Sequence, residues 1–331
     1  MFFTAKNIEN KKGYYYGLLS SAQRKVYDKL LDGITSFTSE IVTPYRHEDE
    51  MNLVLNYLMW DNPMIFYVKS FNISYNSFRQ KCRVFPAYTY NYQDVKFYKN
   101  EVLQHLKVYD AARTLTEFEK ELYVHDYCLR MLRYDCSLGE SAHSILGPVL
   151  KRAAVCEGIA KFVKLSLDYL GVNNLVVFGK AVNPINGSWE THAWNIVEIL
   201  RQTYHLDVTF DLTMTANVNR YDYFNLPECE ITKDHIFENI IPKCAIADND
   251  YYSLRGAIAN SPVELDRYLE KCLKSGKRNI HIKLRNVKDK TTVIDKVMSM
   301  AQQHCASAYN PSTTVEISCN QTQGIFEIEY K

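Results

Sequence analysis

The chain has 331 residues and is 47% hydrophobic, enough apolar material for one large core or two to three modest ones. A formal net charge of +1, with no run of Lys and Arg interleaved with aromatics, argues against an electrostatic nucleic-acid partner. No run of about 20 apolar residues suits a membrane span, and Met1-Phe2-Phe3-Thr4-Ala5-Lys6 starts no signal peptide, so the expectation is a cytoplasmic protein if Met1 is the natural start and a secreted or cell-surface one otherwise.

The pattern predicts three parts, 1–112, 113–255 and 256–331, with no internal repeat. In the first, Ser20-x-x-Gln23 reads as a capping box before a helix whose stripe is Tyr27, Leu30, Leu31 and Ile34. A second helix over 48–60 stops at Asp61-Asn62-Pro63, and strand-like runs follow at 65–74 and 82–90. This is an α+β module without convergent reactive groups, suited to scaffolding or substrate positioning. The middle part opens on a second capping box, Thr116-x-x-Glu119, and a helix with the stripe Phe118, Leu122, His125, Leu129 and Leu132. On that stripe His125 reads as a core or boundary histidine. The last part alternates helix 262–275, strand 278–284, helix 291–306 and strands 313–319 and 324–330, a small α/β module covering one side of a sheet.

Nine cysteines are scattered along the chain without a Cys-x-x-Cys pair. That spacing supports neither a zinc site nor a disulfide framework, and no phosphate-binding glycine loop is visible. No metal and no cofactor is expected.

The chemistry concentrates between 155 and 211. After Cys156 the apolar residues Ile159, Phe162, Val163, Leu167 and Leu170 recur at helical spacing, with Gly171 as a stop signal. Cys156 therefore belongs at the N-terminus of a buried helix, where unpaired N–H groups and the helix dipole favour a thiolate and a developing oxyanion. His192 and Asp207 fall on two runs with strand character, 189–199 and 203–211. In the second, Tyr204, Leu206, Val208 and Phe210 alternate with His205, Asp207, Thr209 and Asp211.

If the two runs form an antiparallel hairpin, paired residues have a constant index sum. A sum of 399 sets His192 opposite Asp207, and 401 makes them diagonal neighbours, roughly 7–8 Å between backbones and within side-chain reach. A sum of 403 pairs His192 with Asp211 instead. The first two require a tight turn near Leu200, although Leu200-Arg201 is not the usual Asn-Gly or Asp-Gly. Trp194 shares the strand face of His192 and is a candidate pocket wall, with core packing as the commoner outcome. Asn195 points the other way. His205 reads as a satisfied or exposed histidine.

Together these stretches resemble the transglutaminase-like superfamily, in particular its bacterial branch. The resemblance runs from about Glu117 to His235. It takes in Arg133-Tyr134-Asp135, His143-Ser144-Ile145-Leu146-Gly147, Val155-Cys156-Glu157-Gly158, Thr191-His192-Ala193-Trp194-Asn195, Asp207-Val208-Thr209-Phe210-Asp211, Tyr221-Asp222-Tyr223-Phe224-Asn225-Leu226 and Asp234-His235. Leu146 and Ile159 depart from the aromatic residues common at those positions. The resemblance implies a papain-like α+β core, in which the nucleophile's helix packs on an antiparallel sheet. It also implies Cys156 as nucleophile, His192 as general base and acid, and Asp207 as orienting carboxylate. Tyr134 and His143, which precede the nucleophile, are candidate substrate-binding residues beside Trp194, with packing as their alternative.

Three functions follow as expectations: a cysteine peptidase or amidase acting on a peptide or protein substrate, a transglutaminase in which an amine intercepts the acyl-enzyme, or a non-catalytic binding module. Hydrolysis is favoured because water is always present as an acceptor.

Overall fold

The structure, a computed structural model, describes residues 12–184, 186–215, 219–285, 290–308 and 314–331. Helix α1 (Tyr14–Leu18) leads to α2 (Ser21–Thr35), where the capping box forms as expected and the stripe of Tyr27, Leu30, Leu31 and Ile34 is buried. Strand β1 (Ile41–Pro44), helix α3 (Glu48–Asp61) and strands β2 (Val68–Asn76) and β3 (Lys81–Tyr88) follow, the strands forming an antiparallel sheet in the order β1-β3-β2. Helix α4 (Tyr92–Leu106), absent from the sequence expectation, buries only Val95, Val102 and Leu106, a stripe too sparse to stand out.

Helix α5 (Glu117–Met131) starts on the Thr116 capping box. Two short parallel strands, β4 (Arg133–Tyr134) and β5 (Ala153–Ala154), run into α6 (Cys156–Leu170), which ends at Gly171 in the left-handed conformation with φ 76°. Next come β6 (Asn174–Val182), also absent from the expectation, then β7 (Trp189–Ile199), β8 (Gln202–Leu206), α7 (Val208–Met214), α8 (Glu228–Ile231) and β9 (His235–Phe237). These four strands make the central antiparallel sheet, ordered β8-β7-β6-β9. The carboxyl end holds α9 (Tyr251–Leu254), β10 (Ile258–Ala259), α10 (Pro262–Lys274), β11 (Asn279–Leu284), α11 (Lys290–Ala308), β12 (Val315–Asn320) and β13 (Ile325–Tyr330), with the sheet order β10-β11-β13-β12.

The period-two alternation of β7 supplies both faces of the central sheet. Ala193 meets Ala160 of α6, and Asn195 donates to the Ala160 carbonyl at 3.0 Å, so this face belongs to α6. Trp194 and Ile196 enter the core built by α1, α2 and α3, and Trp60 stacks on Phe178 with ring centroids 4.7 Å apart. The amino-terminal helices thus form a third layer over the sheet. At the other end, buried Arg220 joins Asp222 through two contacts of 3.1 and 2.6 Å and reaches Ser318 at 2.8 Å and Glu327 at 3.1 Å. A bidentate guanidinium therefore fastens the carboxyl-terminal sheet to the segment after α7.

The run 203–211 does not form the single strand expected. Strand β8 stops at Leu206, and the Asp207 side chain accepts from the Thr209 and Phe210 N–H groups, capping α7. A side-chain acceptor at that point offers the backbone a helix start in place of further ladder bonds. The hairpin register runs from Asn195↔Leu206 to Ile199↔Gln202, every pair summing to 401. Leu200 and Arg201 adopt φ of 51° and 66°, the two left-handed positions of a type I′ turn, without the usual residues. The Leu200 N–H donates to Glu117 at 2.8 Å, which anchors the turn to the start of α5. Replacing Leu200-Arg201 by Asn-Gly should raise unfolding stability by about 1 kcal/mol, measured by urea titration; an unchanged midpoint would remove backbone strain from the account.

Glu121 of α5 is fully buried; its carboxyl is pushed up to about 8 by that burial, while the Asn225 bond at 2.9 Å and the His125 charge pull the other way. The folded state therefore keeps a proton that the unfolded chain has lost, so stability declines as pH rises from about 4.5 to about 8. Glu121→Gln should flatten thermal stability over that window. An equally steep decline in the variant would assign the proton elsewhere.

Candidate active site

Cys156 is the first residue of α6 and half-buried. Val155 at the N-cap provides no side-chain acceptor, so the first-turn N–H groups are not taken by a cap. The glycine of Val155-Cys156-Glu157-Gly158 has a steric reason: a Cβ there would strike the Ala142 carbonyl oxygen and come within 2.9 Å of the Ala154 Cβ. Ala142 also accepts from the Val155 N–H at 3.2 Å, so the 139–143 turn braces the start of the helix. Pairing of Tyr134 with Ala154 across β4 and β5 places Tyr134 beside the cysteine.

His192 comes from β7. Its Nε2 lies 2.6 Å from Asp207 Oδ2, which leaves Nδ1 as the nitrogen that can serve Cys156, its neighbour in the same cleft. Trp194 stacks beside it at 6.0 Å and Phe210 of α7 meets it edge-on at 5.1 Å. Burial alone favours a neutral imidazole, but the Asp207 charge and hydrogen bond, followed by those of Cys156, push the His192 pKa up to about 10. Asp207 is wholly buried. Burial works to raise its pKa, and against this the His192 charge and the hydrogen bonds from His192 and His235 hold the carboxyl well below the usual carboxylate range.

Cys156 and His192 line a cleft of about 210 Å³ together with Tyr134, Val182, Glu190 and Phe210, and Asp207 lies buried behind His192. The 401 register makes His192 and Asp207 near neighbours by ending β8 one residue before the carboxylate. Asp211, the alternative partner, turns away: His125 Nε2 lies 2.9 Å from its Oδ2, and its Oδ1 accepts from the Tyr223 N–H at 3.0 Å.

The three substrate-binding candidates separate. Tyr134 lines the cleft and is 46% exposed. Trp194 is 1% exposed and lies in the core, where its indole N–H donates to His205 Nδ1 at 3.0 Å; it backs His192 and does not line the cleft. His143 is an exposed residue that pairs with Glu157 at 2.9 Å, bracing the first turn of α6 from outside the cleft. His205 is neither exposed nor fully satisfied. It is buried, its Nε2 has no partner among the described residues, and burial, then the His235 charge, lowers its pKa to about 3.

The residue that sequence reasoning missed as part of the site is His235. Its Nε2 lies 3.0 Å from Asp207 Oδ2 and its Nδ1 2.7 Å from Asp234 Oδ1. The only signal was the Asp234-His235 pair noted in the resemblance, because a three-residue strand has too little alternation to assign a face. Among the described residues, His192, Asp207 and His235 are the one group with ligand atoms close enough for a metal, all within 4.8 Å. Their contacts of 2.6 and 3.0 Å already engage those atoms in direct hydrogen bonds, which fits a proton-bearing relay better than a cation site.

No family model and no curated protein matches the chain. Among solved structures it is similar to a crystal structure of a TGase, at 14% identity and a TM-score of 0.29, over 56% of this chain and 54% of that one. It is also similar to a protein of Cytophaga hutchinsonii proposed to be a cysteine protease, at 12% identity and a TM-score of 0.26, over 56% of this chain and 68% of the other. The chain therefore spans about half the length of the first.

Gly158→Ala should cost about 2–3 kcal/mol of stability, because the new methyl meets backbone that cannot retreat without moving the 139–143 turn. Thermal unfolding measures the loss, and a variant as stable as the parent would contradict the close packing.

Proposed function

We propose that the chain carries out cysteine-dependent acyl chemistry on peptide or protein amides, as a peptidase or amidase. The observation that supports this reading above all is that Cys156, at a helix N-terminus, and His192 line one cleft while His192 is hydrogen-bonded to the buried Asp207. The Cys156 thiol gives its proton to His192, and the sulfur attacks the amide carbonyl carbon. The resulting oxyanion is received by N–H groups of the first turn of α6. His192 then passes its proton to the leaving amine as the C–N bond breaks, and a thioester remains on Cys156. Water, deprotonated by His192, attacks the thioester, and the acid and the thiol are released. Asp207 stays ionised throughout and holds the ring. Half-exposed Tyr134 at the cleft leaves water a path to the thioester.

An amine entering in place of water would give the transglutaminase outcome by the same first half-reaction. A glutamine-containing peptide incubated with and without a fluorescent amine separates the two: cleavage or deamidation without amine incorporation supports hydrolysis, and incorporation overturns it in favour of transfer. No acyl-enzyme on any peptide would favour the binding-module reading.

Cys156→Ala should abolish the acyl-enzyme, read by intact mass, and leave thermal stability nearly unchanged, since a half-buried cleft residue leaves little cavity. Asp207→Asn should lower turnover by about 10²- to 10⁴-fold with a smaller effect on KM. Undiminished turnover would sink the assignment of Asp207.

A further inference from the structure

The Asp207 carboxylate has more partners than a three-residue arrangement needs. Oδ1 accepts from the Thr209 and Phe210 N–H groups at 2.9 and 3.1 Å, and Oδ2 is shared by His192 Nε2 at 2.6 Å and His235 Nε2 at 3.0 Å. His235 is wholly buried and is held on its other side by Asp234. Each ring nitrogen of His235 thus faces a carboxylate oxygen, and the ring is fixed from both sides. Asp234 is held in turn: the Tyr223 hydroxyl donates to its Oδ2 at 2.6 Å, and Gln323 Nε2 lies 3.4 Å from the same oxygen. Gln323 belongs to the turn between β12 and β13 and also donates to the Glu230 carbonyl at 3.3 Å.

We propose that His235 is a positioning residue of the acyl chemistry, a buried ring that clamps the Asp207 carboxylate for His192 and is itself held in place from the carboxyl-terminal sheet through Asp234 and Gln323. The proposal rests on the triad reading given above. His235 packs behind the cleft-lining residues Phe210 and His192 without lining the cleft itself, so it acts through Asp207.

Two consequences follow from charge and geometry. First, an oxygen shared between two donors holds each less strongly, so His235 weakens the hold of Asp207 on the His192 proton. That matters because the ring has to surrender this proton to a leaving amine. Second, a carboxylate held on both sides keeps the His192 ring in place beside Cys156, and a protonated His192 there favours the thiolate over the thiol, so loosening the clamp raises the acid limb. The titratable groups around His235 are His192 on β7, Asp207 before α7, His205 on β8, Tyr223 after α7 and its own neighbour Asp234. His205 shows the contrast. It is buried nearby, but its Nδ1 accepts a hydrogen bond from the Trp194 indole N–H, it has no carboxylate partner, and it stays neutral.

The test is the pH dependence of Cys156 alkylation by iodoacetamide, followed site by site by peptide mass spectrometry on the full chain, because other thiols are exposed. In the parent, Cys156 should react at mildly acidic pH, and His192→Ala should remove that reactivity. His235→Gln keeps a neutral donor near Asp207 and should move the acid limb upward by about one pH unit, with Asp234→Asn moving it the same way by less. Gln323→Ala, remote from the sulfur, should also move it upward. A purely structural role would change Tm or the amplitude and leave the midpoint in place.

The outcomes are distinguishable. If parent Cys156 lacks His192-dependent reactivity, the triad reading itself fails. If that reactivity is present and the His235→Gln midpoint equals the parent's, the positioning role alone is overturned. Should His235→Gln fail to fold, the midpoints of Asp234→Asn and Gln323→Ala decide: an upward shift in either supports the proposal, and parental midpoints in both overturn it.

Discussion

A single buried carboxylate, Asp207, sets the arrangement of the site. Removing an ionised group from water costs several kcal/mol, and only a full set of donors offsets it. Asp207 obtains that set from three directions: two backbone N–H groups of α7, His192 of β7 and His235 of β9. Each donor fixes a piece of chain. The backbone pair ends β8 and begins α7, His192 ties β7 to that junction, and His235 brings in the far edge of the central sheet. The carboxylate that orients the histidine is thus also the cap that shapes its surroundings, and either function would be lost with the other.

The same economy appears in the other buried charges. His125 meets Asp211 in the first turn of α7, Arg220 meets Asp222 and Glu327, and Lys283 reaches Glu230 across the junction with the carboxyl-terminal sheet. Such pairs contribute little net stability compared with apolar packing of the same volume, but breaking one leaves a charge stranded. Their placement on both sides of α7 means that the helix carrying Phe210 against His192 cannot shift without exposing an unpaired ion. Rigidity behind the site contrasts with the cleft itself, where Tyr134 and Glu190 are exposed.

The neutral contacts are equally directional. Gly158 lets α6 approach the Ala142 carbonyl, and Gly179, paired with His192 across β6 and β7, leaves room for the backbone of β9 at Ile236. A side chain at either position would push apart the elements that carry the sulfur or the second histidine. Close backbone packing, rather than turn geometry, explains both glycines, since neither adopts positive φ.

Local signals sufficed where a few neighbouring residues decide the structure. Ser20 and Thr116 cap helices through their own side chains, Gly171 ends α6 because it tolerates a left-handed φ, and the apolar spacing after Cys156 could only be a helix that starts there. Alternation likewise placed β7 and the faces of Trp194 and Asn195. The sequence failed where two local patterns competed or where partners were remote. Tyr204 to Asp211 alternates like a strand throughout, yet Asp207 followed by Val208 and Leu212 is equally a capped helix start, and the choice was made by donors from β7 and β9. Leu200-Arg201 carries no turn signature, and the anchor that makes it a turn is Glu117, far away in the chain. The contact of His235 with Asp207 and the part of Gln323 were unreadable for the same reason: hydrogen-bond partnership is a property of distance in space, and no periodicity along the chain encodes which buried carboxylate a distant side chain will meet.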